Sequence, residues 1–473
     1  MRWGVPGKGP ARVGVRMNGH EQHAIRRVVI TGMGVLSPLG NSVDETWTRA
    51  VAGESGLGRL TLVDPSAYPC QVGGEVRGFD PATYMDRKDA RRMARFAQFS
   101  VAAARQAVAH AGLDMALEDR TRVGTICGNG GGSLPETDLA MRTILGRGGA
   151  KVDPLYMAKF LPNMAAANLT IQLGLLGYTN TVTTACAAGT QAIGDATEVI
   201  RRGGADVMLA GGTEAGISEL GLAAFCAMRA LTTGYNDDPQ AASRPFDRDR
   251  DGFAPAEGGG MLVLEALDHA LARGAEPLAE IIGYGVSADA RFLVAPPDDG
   301  EGAARAMRSA LADAHVAIEE IDYISAHATA TEIGDIAETR AVRSVFGERA
   351  YQVPLSAFKS QVGHLLGSLR SSPSSVVCGC ADHHVMNSRF SCSMSPSWRL
   401  PNWNACHAMS VGRRTVRESL STTLALSVPI SARSRSRSAI WSSIMAVVGS
   451  KVIEFSFPAA FSASHAACRA SFQ

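Results

Sequence analysis

Short apolar runs, each closed by glycine or followed at once by a helical pattern, constrain this chain more than any other feature. Val28-Val29-Ile30 ends at Gly32 and Gly34. Val123 to Cys127 ends at Gly128, Gly130, Gly131 and Gly132. Runs this short and this apolar read as strands buried on both faces. Thr181 to Thr184, Val207 to Ala210, Met261 to Glu265 and Ile321 to Ser325 read as further strands. Helical spacing fills the intervals, over residues 42–52, 86–112, Ala187–Arg202, Ala303–Ala314 and Ile336–Phe346. A second series starts near Ile281. Two runs of alternating strands and helices imply a layered α/β architecture.

Composition sets the outer bounds. At ~150 residues per domain, 473 residues make about three units or two large ones. With 46% hydrophobic and 19% charged residues the chain is ordinary globular material. A net charge of +1 argues against general nucleic-acid affinity. No apolar run approaches the ~20 residues that cross a bilayer. Arg2, Lys8, Arg12 and Arg16 flank no continuous apolar core, so no signal peptide is expected, and Met17 is a second candidate start. Nine cysteines, an odd number without small-domain spacing, fit free thiols in a reducing compartment, hence a cytoplasmic protein.

Cys186 lies between a strand and a helix, flanked by Ala185, Ala187, Ala188 and Gly189. Small neighbours let a substrate reach the sulfur. A helix N-terminus favours thiolate over thiol, and a thiolate can attack a thioester and hold the acyl group. The competing reading is a cysteine packed as a small hydrophobe. His327 follows the strand Ile321–Ser325, at the strand end where α/β sheets place ligands. His364 shares a glycine-bearing segment with Lys359. Alone, each reads as a structural or loop residue. Together with Cys186 they make a Cys/His/His set with a nearby lysine, suited to carbanion chemistry on a thioester, because two neutral imidazoles can donate to a developing enolate oxygen.

Thr184-Ala185-Cys186-Ala187-Ala188-Gly189-Thr190, Ala326-His327-Ala328-Thr329, and Lys359-Ser360 through Gly363-His364-Leu365-Leu366-Gly367 resemble the three active-site motifs of β-ketoacyl-acyl carrier protein synthases. The elongating type II enzyme is the best match. Supporting segments are Val29 to Val35 with Ser37-Pro38-Leu39-Gly40, Ala210-Gly211-Gly212-Thr213-Glu214-Ala215, and Ser243 to Asp247 with Asp251-Gly252-Phe253. The resemblance runs from about Arg27 to Ser368. It implies the thiolase fold, two similar α/β halves in a layered αβαβα arrangement, normally as a homodimer. The implied division is a disordered extension over 1–25, a half carrying the nucleophile over 26–275, a half carrying both histidines over 276–370, and an aberrant tail over 371–473.

The resemblance also implies the chemistry. Cys186 takes an acyl chain from acyl carrier protein. Malonyl-acyl carrier protein follows, His327 and His364 support loss of carbon dioxide, and the carbanion attacks the acyl-cysteine. Lys359 orients the histidines, with Glu338 as its partner. The Cys186 N–H supplies half of an oxyanion hole. Neither metal nor organic cofactor is implied. Arg87 to Arg92 resembles the docking helix for the acidic carrier, with Lys88, Arg91 and Arg92 within about one turn; read alone, it is a solvated helix face. Fatty acid elongation is the default pathway and polyketide assembly the alternative.

The likeness stops after Ser368. Acidic residues dwindle to Asp382, Glu418 and Glu454, while serine and arginine rise. Leu369-Arg370-Ser371-Ser372-Pro373 stands where the family has a small-residue helix, and Pro373 would cost a helix interior ~3 kcal/mol. The family's Gly-Phe-Gly-Gly loop, with its second oxyanion N–H and phenylalanine gate, is not found. A reading-frame error is the expected cause, which leaves the second half incomplete. Losing one oxyanion donor costs ~10²–10³ in rate, so an inactive relative is a second reading. Cys378, Cys380, His383 and His384 match no standard zinc spacing. A dinucleotide-binding reading of Gly32-Met33-Gly34 fails because Ser37 replaces the third glycine. A coenzyme A thiolase fits less well than the two-histidine branch.

Overall fold

The first strand does not stop at its glycines. In the computed structural model, which describes residues 25–368 and the backbone of 375–379, β1 runs from Val28 through both glycines to Leu36. It pairs antiparallel with β7 (Gly258–Ala266), with a bulge between Ile30 and Gly32. The glycines admit a helix. A β-carbon on Gly32 would stand 2.2 Å from the Ala107 carbonyl oxygen, and one on Gly34 2.0 Å from that of Ala103. Both carbonyls belong to α3 (Arg95–His110). The glycine pair thus serves strand–helix contact rather than phosphate binding, a second objection to the dinucleotide reading.

The remaining elements follow in chain order. They are α1 (Val43–Val51), β2 (Leu57–Arg59), β3 (Val72–Gly74), α2 (Arg87–Ala90), β4 (Val123–Gly128), α4 (Leu134–Arg147), α5 (Tyr156–Phe160), α6 (Met164–Leu173), β5 (Thr179–Val182) and α7 (Ala188–Arg201). Then come β6 (Val207–Glu214), α8 (Glu219–Ala227), α9 (Leu267–Ala272), β8 (Ala279–Gly285), α10 (Glu301–Ala314), β9 (Ile324–Ser325), α11 (Glu332–Phe346), β10 (Leu355–Ser356), α12 (Lys359–Val362) and β11 (Ser375–Gly379). The extension before Ile25 and most of the tail, with Cys380, His383 and His384, lie outside the described residues; of Cys378 only the backbone is described, in β11.

Seven strands form the main sheet in the order β11-β8-β1-β7-β6-β4-β5. β4 runs parallel to both β5 and β6, and the other pairings are antiparallel. Neighbouring side chains alternate between its faces. Leu209, Met261 and Val263 pack with Phe96, Phe99 and Leu169 of α3 and α6. Met208, Leu262 and Leu264 pack on the opposite face with Ile193 and Ile200 of α7. Each such side chain contributes ~1.5–3 kcal/mol by leaving water.

The second half repeats the device of the first. β-carbons on Gly283 and Gly285 of β8 would stand 2.4 and 2.3 Å from the carbonyl oxygens of Ala310 and Ala306 in α10. β8 therefore stands to α10 as β1 stands to α3. α10 and α11 share an apolar cluster of Leu311, Ile321, Ile324, Val342 and Phe346. β9 and β10 form a separate parallel pair. The strand expected over Ile321–Ser325 is only Ile324–Ser325, because Ile318–Glu320 is a turn of 3₁₀-helix and Ile321 caps it.

The helix expected over 86–112 is broken. α2 is four residues long, and Ala94 is extended (φ −70°, ψ 158°) where α3 begins. Two side chains hold the break, one of them through a distant partner. The Arg95 guanidinium reaches into the core to the Glu257 carboxylate at 2.7 Å and the Val76 carbonyl at 2.9 Å. The Gln98 amide donates to the carbonyls of Ala90 at 2.8 Å and Met93 at 3.4 Å. Neither partner is visible in local periodicity.

Two glycine substitutions of opposite sign test this packing. Gly34→Ala drives a methyl group into backbone and should destabilise the fold by ~1–3 kcal/mol. Gly146→Ala meets nothing within 4 Å inside α4 and should stabilise it by up to ~1 kcal/mol. Urea denaturation midpoints that moved in the same direction would contradict the account.

Candidate active site

Three chain segments meet at one point. The first leaves β5 at Val182 and turns sharply before α7. Ala185 makes the turn in the left-handed region (φ +50°), which costs a residue bearing a β-carbon ~1–3 kcal/mol. Cys186 follows in a single 3₁₀ turn. The second segment is the loop after β9, with Ala328 and Ala330 also left-handed (φ +44° and +66°). Here the Glu338 carboxylate, from α11, accepts from the amides of His327 at 2.6 Å and Ala328 at 2.7 Å. The third segment is α12 and the residues after it. His364 joins the backbone ladder beside Pro255, its amide donating to the Ala254 carbonyl at 2.8 Å and its carbonyl accepting from Ala256 at 3.0 Å.

The side chains converge accordingly. Cys186 Sγ lies 3.0 Å from His364 Nε2. The two imidazole rings stand perpendicular with centroids 5.6 Å apart. Phe253 presents its ring to His364 at 5.1 Å, also close to perpendicular. Lys359, 5% exposed, donates from Nζ to the His327 carbonyl at 2.6 Å. Glu338 therefore holds the amide end and Lys359 the carbonyl end of the His327 loop. The Lys359 charge also favours the ionised form of Glu338. The lysine and the carboxylate clamp the loop together.

Burial governs the electrostatics. It pushes the Cys186 thiol up to about 11, against the lowering effect of Lys359 and with a further raising effect from Glu214. The expectation that a helix N-terminus holds a ready thiolate is thus corrected: burial raises the thiol, and Cys186 sits in the 3₁₀ turn before α7 rather than in the helix. Burial, with the Lys359 charge behind it, lowers His327 and His364 well below the usual imidazole range, so both are neutral at physiological pH. Glu338 is raised by burial, with its two amide bonds opposing. Nδ1 of each imidazole is buried without a hydrogen-bond partner among the described residues. A neutral ring carries one N–H. Placing it on Nε2 avoids burying an unpaired donor, which is the costlier defect. Both rings can then aim an N–H into the site.

Sulfur and two imidazoles within 4.8 Å could also suggest a zinc site. The Lys359 charge, which bears on all three side chains, opposes a dication there. The neutral rings and the thiol suit acyl chemistry better.

Cys186, His327, His364, Lys359 and Glu338 come together. Lys88, Arg91 and Arg92 lie elsewhere, exposed on α2 and the turn after it, beside exposed Arg87. Two further residues of the site lie inside the matched motifs. Phe253 orients His364 by ring contact, and Glu214 is a buried carboxylate beside the site. A charged residue in the otherwise small and uncharged run Ala210 to Ala215 was the available signal.

Comparisons with known proteins agree with this geometry. Residues 25–270 match the family model of the beta-ketoacyl synthase N-terminal domain, and residues 278–377 that of the C-terminal domain. The 3-oxoacyl-[acyl-carrier-protein] synthase 2 of Staphylococcus aureus (strain COL) is 43% identical over 343 residues, 72% of this chain and 82% of the relative. A beta-ketoacyl synthase from Burkholderia phymatum STM815 superposes with a TM-score of 0.68 at 37% identity, over 73% of this chain and 84% of its own. A chain from a type II PKS acyl-carrier protein in complex with its ketosynthase bound to the hexaketide superposes with a TM-score of 0.65 at 32% identity, over 74% and 85%.

A thiol raised to about 11 makes a pH prediction. Iodoacetamide modification of Cys186, followed on its peptide by mass spectrometry, should rise ~tenfold per pH unit from 7 to 10. A plateau near pH 7 would show a preformed thiolate instead.

Proposed function

The chain belongs to the beta-ketoacyl synthase family, and from that premise we propose that it is a 3-oxoacyl-acyl carrier protein synthase, an acyltransferase of fatty acid elongation. The observation that carries this reading is the Cys186–His364 contact at 3.0 Å with His327 edge-on to it. A nucleophile and two neutral N–H donors surround one volume in which a thioester can react.

The Cys186 sulfur attacks the thioester carbonyl of an acyl carrier protein, and the proton it gives up passes to the departing carrier sulfur. The carrier thiol leaves, and the acyl group remains on Cys186. Malonyl carrier protein then binds with its thioester oxygen toward the two imidazoles. The bond between its C2 and the carboxylate breaks, carbon dioxide departs, and the electron pair is held as an enolate by the His327 and His364 N–H groups. C2 attacks the acyl-cysteine carbonyl. Cys186 leaves as thiolate, and a 3-oxoacyl chain two carbons longer stays on the carrier. Lys359 and Glu338 act through His327 as positioning residues. Fatty acid elongation is favoured over polyketide assembly by the 43% identity to the S. aureus enzyme against 32% to the type II PKS chain.

The carrier docks on the exposed cluster Arg87, Lys88, Arg91 and Arg92 in this reading. A homodimer is supported by β5, an edge strand with Thr179 and Asn180 exposed, and by exposed apolar side chains beside it, Ile171, Leu176 and Tyr178 among them. Sedimentation velocity reads that state. No helix among the described residues is long and apolar enough to cross a membrane. Cys70, Cys127, Cys186 and Cys226 are free thiols, which supports a reducing, cytoplasmic setting.

The test is formation of 3-oxoacyl carrier protein from acyl and malonyl carrier proteins, read by mass spectrometry. Cys186→Ala should abolish it, and His327→Ala or His364→Ala should each slow malonyl decarboxylation ~10²–10³-fold. No product from the parent chain with Cys186 intact would favour the inactive reading. A second prediction concerns docking. Charge reversal at Lys88, Arg91 and Arg92 should raise KM for the carrier several-fold with kcat unchanged, and more at low salt. Equal KM at low and high salt would exclude that surface.

A further inference from the structure

Glu214 ends β6 with its carboxylate 2% exposed, and the mechanism above gives it no task. One oxygen, Oε2, accepts from the Gly130 amide at 2.7 Å and from the Gly367 amide at 3.1 Å. The other, Oε1, accepts from the Asn129 side-chain amide at 3.4 Å. No cationic side chain pairs with it among the described residues. These donors belong to two loops. Asn129 and Gly130 lie in the glycine loop after β4. Gly367 lies three residues past His364.

The junction is built for this carboxylate. A β-carbon on Gly130 would stand 2.6 Å from Glu214 Oε2, and one on Gly367 2.8 Å from it and 2.2 Å from the Gly130 amide nitrogen. A β-carbon on Gly212 would stand 2.4 Å from the Gly367 carbonyl oxygen. Asn129 is itself fixed, donating to the Thr213 carbonyl at 2.7 Å and accepting from the Gly132 amide at 2.5 Å. Ser368 adds a bond to the Gly212 carbonyl at 3.1 Å. Glycines on three segments clear the space, and the carboxylate fills it. Its charge also bears on Cys186.

We propose that Glu214 is a positioning residue: its buried carboxylate staples the loop carrying His364 to the glycine loop after β4, and so fixes the His364 imidazole against Cys186. A buried carboxylate is an expensive way to join two loops, and burial already pushes this one up to about 7. A staple with that cost earns its place by geometry at the reacting atoms. The proposal rests on the acyl-transfer reading for its effect on rate, but not for its effect on the loops.

The experiment uses the full chain with Glu214→Gln and Glu214→Ala. Hydrogen exchange measured by mass spectrometry reads the loops directly. Glu214→Ala should speed amide exchange at least ~tenfold over 129–132 and 363–368 and leave the α3 and α7 peptides unchanged. Glu214→Gln keeps an acceptor oxygen and should show a smaller rise in the same two segments. If Glu214→Ala does not fold, Glu214→Gln carries the test alone. Malonyl decarboxylation should lose ~tenfold or more in kcat with KM for the carrier within ~twofold. Unchanged exchange in both segments overturns the proposal, as does exchange that rises throughout the chain. Faster local exchange with undiminished kcat also overturns it, since the staple would then be structural only. A parent without turnover, with local exchange still raised in the variants, would sink the acyl-transfer reading and leave the staple standing.

Discussion

The contact between Cys186 and His364 joins residues 178 apart in the chain, and everything chemical in the structure depends on it. It exists because the His364 segment enters the backbone ladder beside Ala254 and Ala256 rather than crossing the site as a free loop. That ladder continues from the turn before β7, and β7 is central in the main sheet. The nucleophile comes from the far side of the same sheet, through β5 and the strained turn at Ala185. The geometry at sulfur is therefore set by the sheet. The sheet in turn is set by the close approach of α3 to β1, which only glycine permits.

Charge at the site is arranged by burial more than by partners. The same desolvation that raises the thiol lowers both imidazoles, so the resting site holds neutral reacting groups. The ionisable groups that do carry structure, Lys359 and Glu338, are turned toward backbone atoms of the His327 loop. A chemistry that generates an enolate profits from neutral donors already in place, because they need no reorganisation as charge develops.

Much of this was legible in residues alone. Cys186 at a strand–helix junction, and His327 past a strand end, could be read from local pattern and motif. What was misread has a common cause. Gly32 and Gly34 look like strand breakers until a helix is placed over them. Residues 86–112 look like one helix until Arg95 finds Glu257 and Gln98 finds the carbonyls of Ala90 and Met93. The thiolate expected at Cys186 weighed the helix end, which sequence shows, against burial, which it does not. The physical basis of the likeness between the two halves, which the family resemblance implied, was hidden in the residues themselves. It emerges from matched glycines in β1 and β8 facing matched alanines in α3 and α10. For Gly32, Gly34 and Arg95 the deciding partner is distant in sequence, and no local window contains it.

The central claim is that Cys186 is the residue that carries the acyl chain. Incubating the full chain with an acyl carrier protein alone, without malonyl carrier, and mapping the adduct by peptide mass spectrometry tests it most directly. The account predicts one acyl group per chain, on the peptide containing Cys186 and on no other thiol. An adduct on Cys70, Cys127 or Cys226, or no adduct while the carrier remains acylated, would contradict it.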